Sequence, residues 1–129
     1  MKILVISFFY HPDLSAGSFR TKSLTDKLIE CKKVQSIDVL TTHPNRFNNY
    51  DTKLINTVSN KKLIIHRIKV PNLGPGQIQQ SFIYLIFLVK AVMYIRKKKY
   101  DIIYATSSKL LTAVLGAFIS ILKKKTIIY

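Results

Sequence analysis

Residues 1–20 read MKILVISFFYHPDLSAGSFR and indicate the class of fold. The first ten residues form an apolar run, interrupted by Lys2 and Ser7 alone, that is rich in β-branched and aromatic side chains. Such a run is typical of a strand buried on both faces of a parallel sheet. Pro12 and Gly17 then interrupt the run, and a helical pattern starts at Ser18. A buried strand, a glycine-containing turn and a helix predict the opening of an α/β domain.

The predicted first helix has a candidate cap at either Ser15 or Ser18, because a serine hydroxyl can accept a hydrogen bond from the first turn. Apolar residues at helical spacing predict that one face of this helix packs on the sheet. These residues are Phe19, Leu24, Leu28 and Cys31.

Strand and helix patterns alternate along the rest of the chain. A polar stretch at 43–62, with little periodicity, is predicted to be a long loop. The other predicted elements are strands at Ser36–Thr42, Leu63–Val70, Tyr100–Ala105 and Lys125–Tyr129, with helices at Ile78–Lys99 and Lys109–Leu122. This alternation predicts an open, parallel, Rossmann-like sheet with helices on both faces and the strand order 3-2-1-4-5.

Ligands of such sheets bind beyond the carboxyl ends of the strands, where the direction of winding reverses. Here that place lies between the loop at 11–18 and the loop at 106–109. The candidates for binding a phosphate or lining this cleft are Ala16, Gly17, Ser18, Arg20, Thr106, Ser107 and Ser108. The candidates for reaching a substrate from the neighbouring loops are His11, His43, Asn45 and Arg46, whereas His66 lies inside a strand and is assigned a structural role.

Each of these segments has two possible interpretations. The turn at 15–20 either presents backbone N–H groups and Arg20 to a phosphate or is a tight turn without a ligand, since one glycine satisfies no nucleotide-binding fingerprint. Ser107 and Ser108 either cap a helix or line the cleft. No catalytic residue is assigned, because no nucleophile, histidine and carboxylate can be placed together.

Composition limits the functions further. The chain has 129 residues, enough for one domain, and its 21 Lys and Arg against 6 Asp and Glu give a formal net charge of +15. Such an imbalance favours anionic partners. Cys31 is the only cysteine and no two histidines have metal-ligand spacing, so neither a metal nor a bound cofactor is predicted. The N-terminus lacks the pattern of a secretory leader, so we expect a cytoplasmic protein.

The segment at 81–95 is apolar nearly all round, and four basic residues follow it at 96–99. Its apolar run of about 14 residues is shorter than the roughly 20 that span a bilayer. Either the basic residues complement the end of a helix, or the segment attaches the protein to the anionic inner face of the cytoplasmic membrane. No nucleic-acid-binding module is recognisable, so nucleic acid is not expected as a partner.

Three segments resemble the N-terminal domain of family 4 retaining glycosyltransferases of the GT-B fold. They are KILVISFFYHPDLSAGSFRTKSLTDKL at 2–28, DVLTTHPNRF at 38–47 and YDIIYATSSKLLTAVLGAFIS at 100–120. They are most similar to bacterial O-antigen and capsule enzymes, including the N-acetyl-L-fucosaminyltransferase type. The resemblance implies that this domain holds the acceptor, and that the turn containing Ala16, Gly17 and Ser18 faces the diphosphate of a nucleotide-sugar donor.

The chain departs from the family in two respects. The usual double glycine of the turn is Ala16-Gly17, and the paired glutamates of the family's C-terminal domain are missing because Glu30 is the only glutamate. We therefore expect residues 1–129 to be a partial acceptor-side domain, inactive alone, with a C-terminal chain as its possible complement. The intact enzyme would transfer a sugar to a lipid-linked oligosaccharide in lipopolysaccharide synthesis. The alternative is a non-catalytic basic module that binds anionic membrane or another polyanion.

Overall fold

A computed structural model describes residues 1–43, 58–71, 76–96, 98–106 and 126–128. In chain order the elements are β1 (Lys2–Ile6), α1 (Ala16–Glu30), β2 (Ser36–Thr42), β3 (Val58–Asn60), β4 (Leu63–Ile68), α2 (Gln77–Arg96), β5 (Ile102–Ala105) and β6 (Thr126–Ile128). The predicted strand at Ser36–Thr42 is confirmed at both ends. The predicted helix at 109–122 lies outside the described residues.

The strands form one sheet in the order β3-β4-β2-β1-β5-β6. The pairs β1–β2, β1–β5, β2–β4 and β5–β6 are all parallel, so the predicted order 3-2-1-4-5 is confirmed for the five parallel strands. The sequence missed β3, which pairs antiparallel with β4 at the edge of the sheet. This strand lies within the stretch at 43–62 that was predicted to be a loop. It could not be predicted because three residues are too few to show the alternation of a strand.

One face of the sheet packs against α2. Side chains alternate between the two faces along each strand, so Leu4 and Ile6 of β1 point to the same side. They form a buried cluster with Leu40 of β2 and with Phe87 and Ile95 of α2. This cluster also includes Ile103 and Ala105 of β5. It places α2 across the middle of the sheet.

The opposite face packs against α1. Ile3 and Val5 of β1 cluster with Val39 of β2, and Leu28 and Ile29 of α1 pack partly buried against them. The two helices therefore lie on opposite faces of a parallel sheet. This arrangement confirms the predicted α/β architecture.

The predicted buried face of α1 is only partly correct, because Leu28 packs against the sheet as predicted but Phe19 and Cys31 are exposed. The residues of α1 that are buried are Ser18, Thr21 and Thr25, whereas Phe19 is 55% exposed and Cys31 lies exposed beyond the helix end. Small hydroxyl-bearing residues suit this face because their hydroxyls are bonded: Thr21 donates to the Gly17 carbonyl and Thr25 to the Lys22 carbonyl, both at 2.8 Å. Satisfied hydroxyls can be buried at little cost, so the apolar periodicity missed the most buried positions of this helix.

Several predicted boundaries were too wide. The first strand ends at Ile6 rather than at residue 10, the third parallel strand ends at Ile68, and α2 ends at Arg96 rather than at residue 99. By length and composition alone, the 19 residues Ile78–Arg96 would suffice to cross a membrane. The apolar run of about 14 residues counted from the sequence predicted a segment too short to do so. One side of this helix nevertheless belongs to the core of the domain.

A polar cluster around the buried Asp38 links the end of α2 to the sheet. The Asp38 carboxylate of β2 accepts hydrogen bonds from Lys98 Nζ at 2.8 Å and from the Tyr100 hydroxyl at 2.6 Å. Lys98 Nζ also donates to the Tyr94 hydroxyl at 2.6 Å, and that hydroxyl is hydrogen bonded to Nε2 of His66. These bonds join α2, β2 and β4, in agreement with the structural role predicted for His66.

Candidate functional site

The direction of winding reverses at β1, which has β2 on one side and β5 on the other. The carboxyl ends of β1 and β5 meet where the N–H of Thr106 donates to the Ile6 carbonyl at 3.0 Å. Ser7 follows directly after β1, and its N–H donates to the Leu40 carbonyl of β2 at 3.0 Å. The topology therefore places the candidate site at the edge of the sheet that was predicted.

Hydroxyl groups connect this strand edge to α1. Thr106 Oγ1 donates to Ser7 Oγ at 3.3 Å, and Ser7 Oγ donates to the Phe9 carbonyl at 2.6 Å. Ser7 Oγ also lies 3.4 Å from Thr21 Oγ1 of α1. Since Ser7, Thr21 and Thr106 are all buried, the network fixes the relative positions of β1, β5 and α1.

The loop after β1 is also attached to β2. The Phe8 carbonyl accepts hydrogen bonds from Thr42 Oγ1 at 2.7 Å and from Thr41 Oγ1 at 3.3 Å. Both threonines are buried at the end of β2. The start of the loop, which leads to α1, is thereby anchored to β2.

The N-terminus of α1 opens at this edge. Ser15 is the N-cap, and its hydroxyl accepts a hydrogen bond from the N–H of Ser18 at 3.1 Å. The side chain of Ser18 is buried, whereas Ala16 is exposed and Gly17 half-buried in the first turn. The first turn carries no acidic residue. Such a helix start presents N–H groups and the positive end of the helix dipole.

A carboxylate and a guanidinium lie beside the loop. Asp13 is only 3% exposed, and Arg67 at the end of β4 donates from Nη2 to the His11 carbonyl at 2.7 Å. Burial lowers the pKa of Arg67, and the negative charge of Asp13 opposes that effect. An arginine remains protonated in proteins, so Arg67 contributes a fixed positive charge.

His43 follows β2 and is held by its backbone, because its N–H donates to the Ile68 carbonyl at 3.2 Å. Burial lowers the pKa of His43, and the positive charges of Arg67 and Lys69 lower it further. Its imidazole is therefore neutral at pH 7, so one ring nitrogen can donate a hydrogen bond and the other can accept one.

The structure brings part of the predicted set together. Ala16, Gly17 and Ser18 form the first turn of α1, and Thr106 is joined to that helix through Ser7 and Thr21. Arg20 is exposed on α1, and His11 is exposed in the loop after β1. Ser107, Ser108, Asn45 and Arg46 lie outside the described residues.

Sequence reasoning missed four residues of this edge: Ser7, Asp13, Thr21 and Arg67. The position of Ser7 was a usable signal, because it is the first polar residue after four apolar ones and marks the end of β1. Arg67 carries no such signal. Its place beside the loop depends on β4 lying next to β2, which is a long-range pairing.

No protein-family model matches this chain, and none of the curated proteins is significantly similar to it. The fold and the site define the class of the protein: a basic α/β protein with a mainly parallel sheet and hydrogen-bonded polar side chains at the carboxyl edge of that sheet.

Proposed function

We propose that this domain is the acceptor-side part of a GT-B glycosyltransferase, which moves a sugar from a nucleotide-diphosphate donor to a lipid-linked oligosaccharide in surface polysaccharide synthesis. Two observations support it: the resemblance of three sequence segments, and the strand order, in which β1 is central and is followed by the loop that leads to α1. The observation that carries the proposal is the capped N-terminus of α1 at the end of that loop.

The chemistry of the helix start suits a diphosphate. The Ser15 hydroxyl satisfies the N–H of Ser18, which leaves the N–H groups of Ala16 and Gly17 as the candidates to donate to a phosphate oxygen. When the bond between sugar and diphosphate breaks, negative charge develops on the leaving phosphate. Preorganised N–H donors and a helix dipole stabilise that charge in the transition state.

Fixed positive charge supports the same assignment. Arg67 lies beside the loop after β1, and the only acidic residue of that loop, Asp13, is buried next to it. Arg20 adds an exposed guanidinium one turn into α1. The neutral imidazole of His43 gives the neighbouring strand end a hydrogen-bonding group for a sugar hydroxyl. In this scheme the domain binds and orients, and it supplies no catalytic carboxylate.

The sharpest test adds a negative charge where the phosphate would bind. Ala16→Asp places a carboxylate in the exposed first turn of α1, where it favours the helix by about 0.3–1 kcal/mol while repelling a diphosphate. Ser23→Asp adds the same charge at an exposed position two turns further along the helix and is the matched control.

Uridine diphosphate is the probe, and its affinity is measured by NMR titration of each folded variant. We expect Ala16→Asp to weaken binding at least fivefold while raising the melting temperature, and Ser23→Asp to change affinity less than twofold. Equal affinity in all three proteins would contradict a phosphate site at this helix.

The second candidate is a non-catalytic basic module that binds anionic membrane. The observation that favours it is the exposed apolar side of α2 among basic residues. The two candidates separate in one experiment, since only the transferase assignment requires nucleotide binding at α1.

A further inference from the structure

Exposed apolar side chains are concentrated on α2. Of the 8 large hydrophobic residues that are exposed among the described residues, 5 belong to this helix. They are Ile78, Phe82, Leu85, Val89 and Met93, with exposures between 48% and 85%. We call these five residues the outer face of α2, because the opposite side of the helix is buried against the sheet.

The outer face has the spacing of a seam between paired helices. Its first four residues lie four, three and four positions apart, which is the alternation that repeats in coiled coils, and the fifth follows after four more. Helices with such a seam pack side by side, because the side chains of each fill the gaps between those of the other. The line from Ile78 to Met93 is about 22 Å long at the usual rise per residue. Its shape therefore indicates another helix as the occupant.

The outer face carries no charge along most of its length. Residues 77–89 of α2 include no lysine, arginine, aspartate or glutamate. Lys90 is the first charged residue of the helix, and its ammonium group donates to the Lys69 carbonyl, just after β4, at 2.9 Å. A helix that rests on anionic headgroups is rich in basic residues along its polar side, whereas the centres of protein interfaces are depleted of charge. The composition therefore favours a protein partner over a lipid surface.

The area of the outer face is large enough for a dimer. The five exposed fractions together amount to about three complete residues. At about 150–200 Å² for each large residue, this is on the order of 500 Å² on one protomer and on the order of 1,000 Å² in a symmetric pair. Leu88 and Val92, which the core buries only in part, add to that area. Specific interfaces begin at about 1,000 Å² of total buried surface.

The five residues also match their own copies in an antiparallel pair. With a two-fold axis beside Leu85, Phe82 faces Val89 across the contact and Ile78 faces Met93, because the members of each pair lie equally far from the axis. The bulkiest side chain of the line thus meets the smallest, which is the alternation that close packing prefers. A parallel pair would instead place each large side chain on its own copy. The spacing therefore favours the antiparallel arrangement.

From these observations we propose that the outer face of α2 is the contact surface for a second copy of this chain, with the two α2 helices antiparallel across a two-fold axis at Leu85. Such a contact uses the same patch on both copies, so it closes at two. The outer face lies over one face of the sheet, whereas the candidate site lies at the carboxyl edge. The contact does not depend on nucleotide binding or on the transfer of a sugar.

Sedimentation velocity of the full chain over a hundredfold range of concentration measures the association. Leu85→Glu brings two carboxylates together at the axis, and Phe19→Glu adds the same charge at a similarly exposed position of α1. We expect the parent to reach a dimer, Leu85→Glu to weaken dimerisation at least tenfold, and Phe19→Glu to change it less than twofold. Circular dichroism establishes that each variant is folded.

A charge exchange tests the axis itself. Leu85→Lys should weaken dimerisation as Leu85→Glu does, because it brings two cations together. An equimolar mixture of the two variants should associate at least threefold more tightly than either one alone, since the introduced carboxylate and ammonium groups would face each other at a two-fold axis. Contact of the outer face with lipid, or with a different part of a second chain, predicts no such recovery.

A crosslink tests the same register in a chain that keeps most of its apolar contact. Cys31 is the only cysteine, so Cys31→Ser supplies a background without thiols. In that background Leu85→Cys should form a disulfide-linked dimer on mild oxidation, because its two copies meet at the axis. Met93→Cys should not, since its two copies would lie about 22 Å apart along the paired helices.

Three results would overturn the proposal. The first is a parent chain that stays monomeric at every concentration. Binding of that monomer, but not of Leu85→Glu, to vesicles of phosphatidylcholine and phosphatidylglycerol would then assign the outer face to lipid. The second is a dimer that Leu85→Glu leaves intact, which would place the contact elsewhere. The third is a mixture of the two charge variants that associates no better than its components, or equal crosslinking through Leu85→Cys and Met93→Cys, since either would exclude the axis at Leu85.

Discussion

Replacing Asp38 by asparagine should destabilise the domain more than any surface change. The Asp38 side chain is 6% exposed and has nearly the same shape as asparagine, so the substitution alters charge and hydrogen bonding without leaving a cavity. Its carboxylate accepts hydrogen bonds from Lys98 and from Tyr100. These bonds connect β2 to the end of α2 and to the segment that precedes β5.

The expected cost follows from the two bonds. A hydrogen bond to a charged group contributes about 1.5–3 kcal/mol and a neutral one about 0.5–1.5 kcal/mol. Changing the acceptor of the Tyr100 hydroxyl from a carboxylate to a neutral amide therefore costs about 1 kcal/mol. The Lys98 side chain is 39% exposed and can return to water, so losing this ion pair costs at most about 1 kcal/mol. Asp38→Asn should therefore lower the free energy of unfolding by about 2 kcal/mol.

Urea unfolding followed by circular dichroism at pH 7 measures this change. Lys98→Met leaves the buried Asp38 carboxylate without this cation, so we expect it to cost at least as much as Asp38→Asn. Combining Asp38→Asn with Tyr100→Phe should give a total cost smaller than the sum of the single variants by at least about 0.5 kcal/mol, because the two residues share one bond. A loss below about 0.5 kcal/mol for Asp38→Asn would refute the role of this cluster.

Three further outcomes are expected. The pKa of Tyr100 is raised above 10.0, first by burial and then by its bond to Asp38. The free energy of unfolding should therefore fall above pH 10, by up to about 1.4 kcal/mol per pH unit. Tyr100→Phe should flatten that fall. The lowered pKa of His43 means that its contribution is lost as the pH falls below 6.5, so His43→Gln should flatten the acid limb of the same stability curve. Thr25→Val removes a buried hydroxyl bonded to Tyr10 at 2.8 Å and should cost about 1–2 kcal/mol in urea unfolding, while Ser23→Ala, at an exposed position, should stay within about 0.5 kcal/mol. Stability of the parent that does not fall above pH 10 would contradict the assignment for Tyr100. An acid limb that is unchanged in His43→Gln would contradict the one for His43, and equal stability of Thr25→Val and the parent would contradict the one for Thr25.

Much of the fold could be predicted because parallel strands buried on both faces have a strong local signal. The runs at 3–6 and 37–40 are continuously apolar, except for Asp38, and helices at 16–30 and 77–96 separate the strands. Connections of this kind are almost always right-handed, so the order of elements limits the order of strands. The crevice at the end of β1 follows from that topology alone.

The failures of prediction have physical causes as well. Thr21 and Thr25 are buried because their hydroxyls find carbonyl and side-chain partners, and hydrophobic periodicity contains no information about such partners. Arg67 and Asp13 lie 54 positions apart in sequence and meet only through the pairing of β4 with β2. Asp38 interrupts an apolar strand, and its partners Lys98 and Tyr100 lie about 60 residues further along.

In the function proposed above, an anionic nucleotide binds at the carboxyl edge of the sheet. Backbone NMR of the 129-residue chain titrated with uridine diphosphate tests it most directly. We expect the largest chemical-shift changes at Ser7, Ala16, Gly17 and Thr106, and we expect these changes to saturate with increasing uridine diphosphate. Shifts confined to the basic residues at the opposite edge, such as Lys33 and Lys62, or no saturable shifts at all, would contradict it.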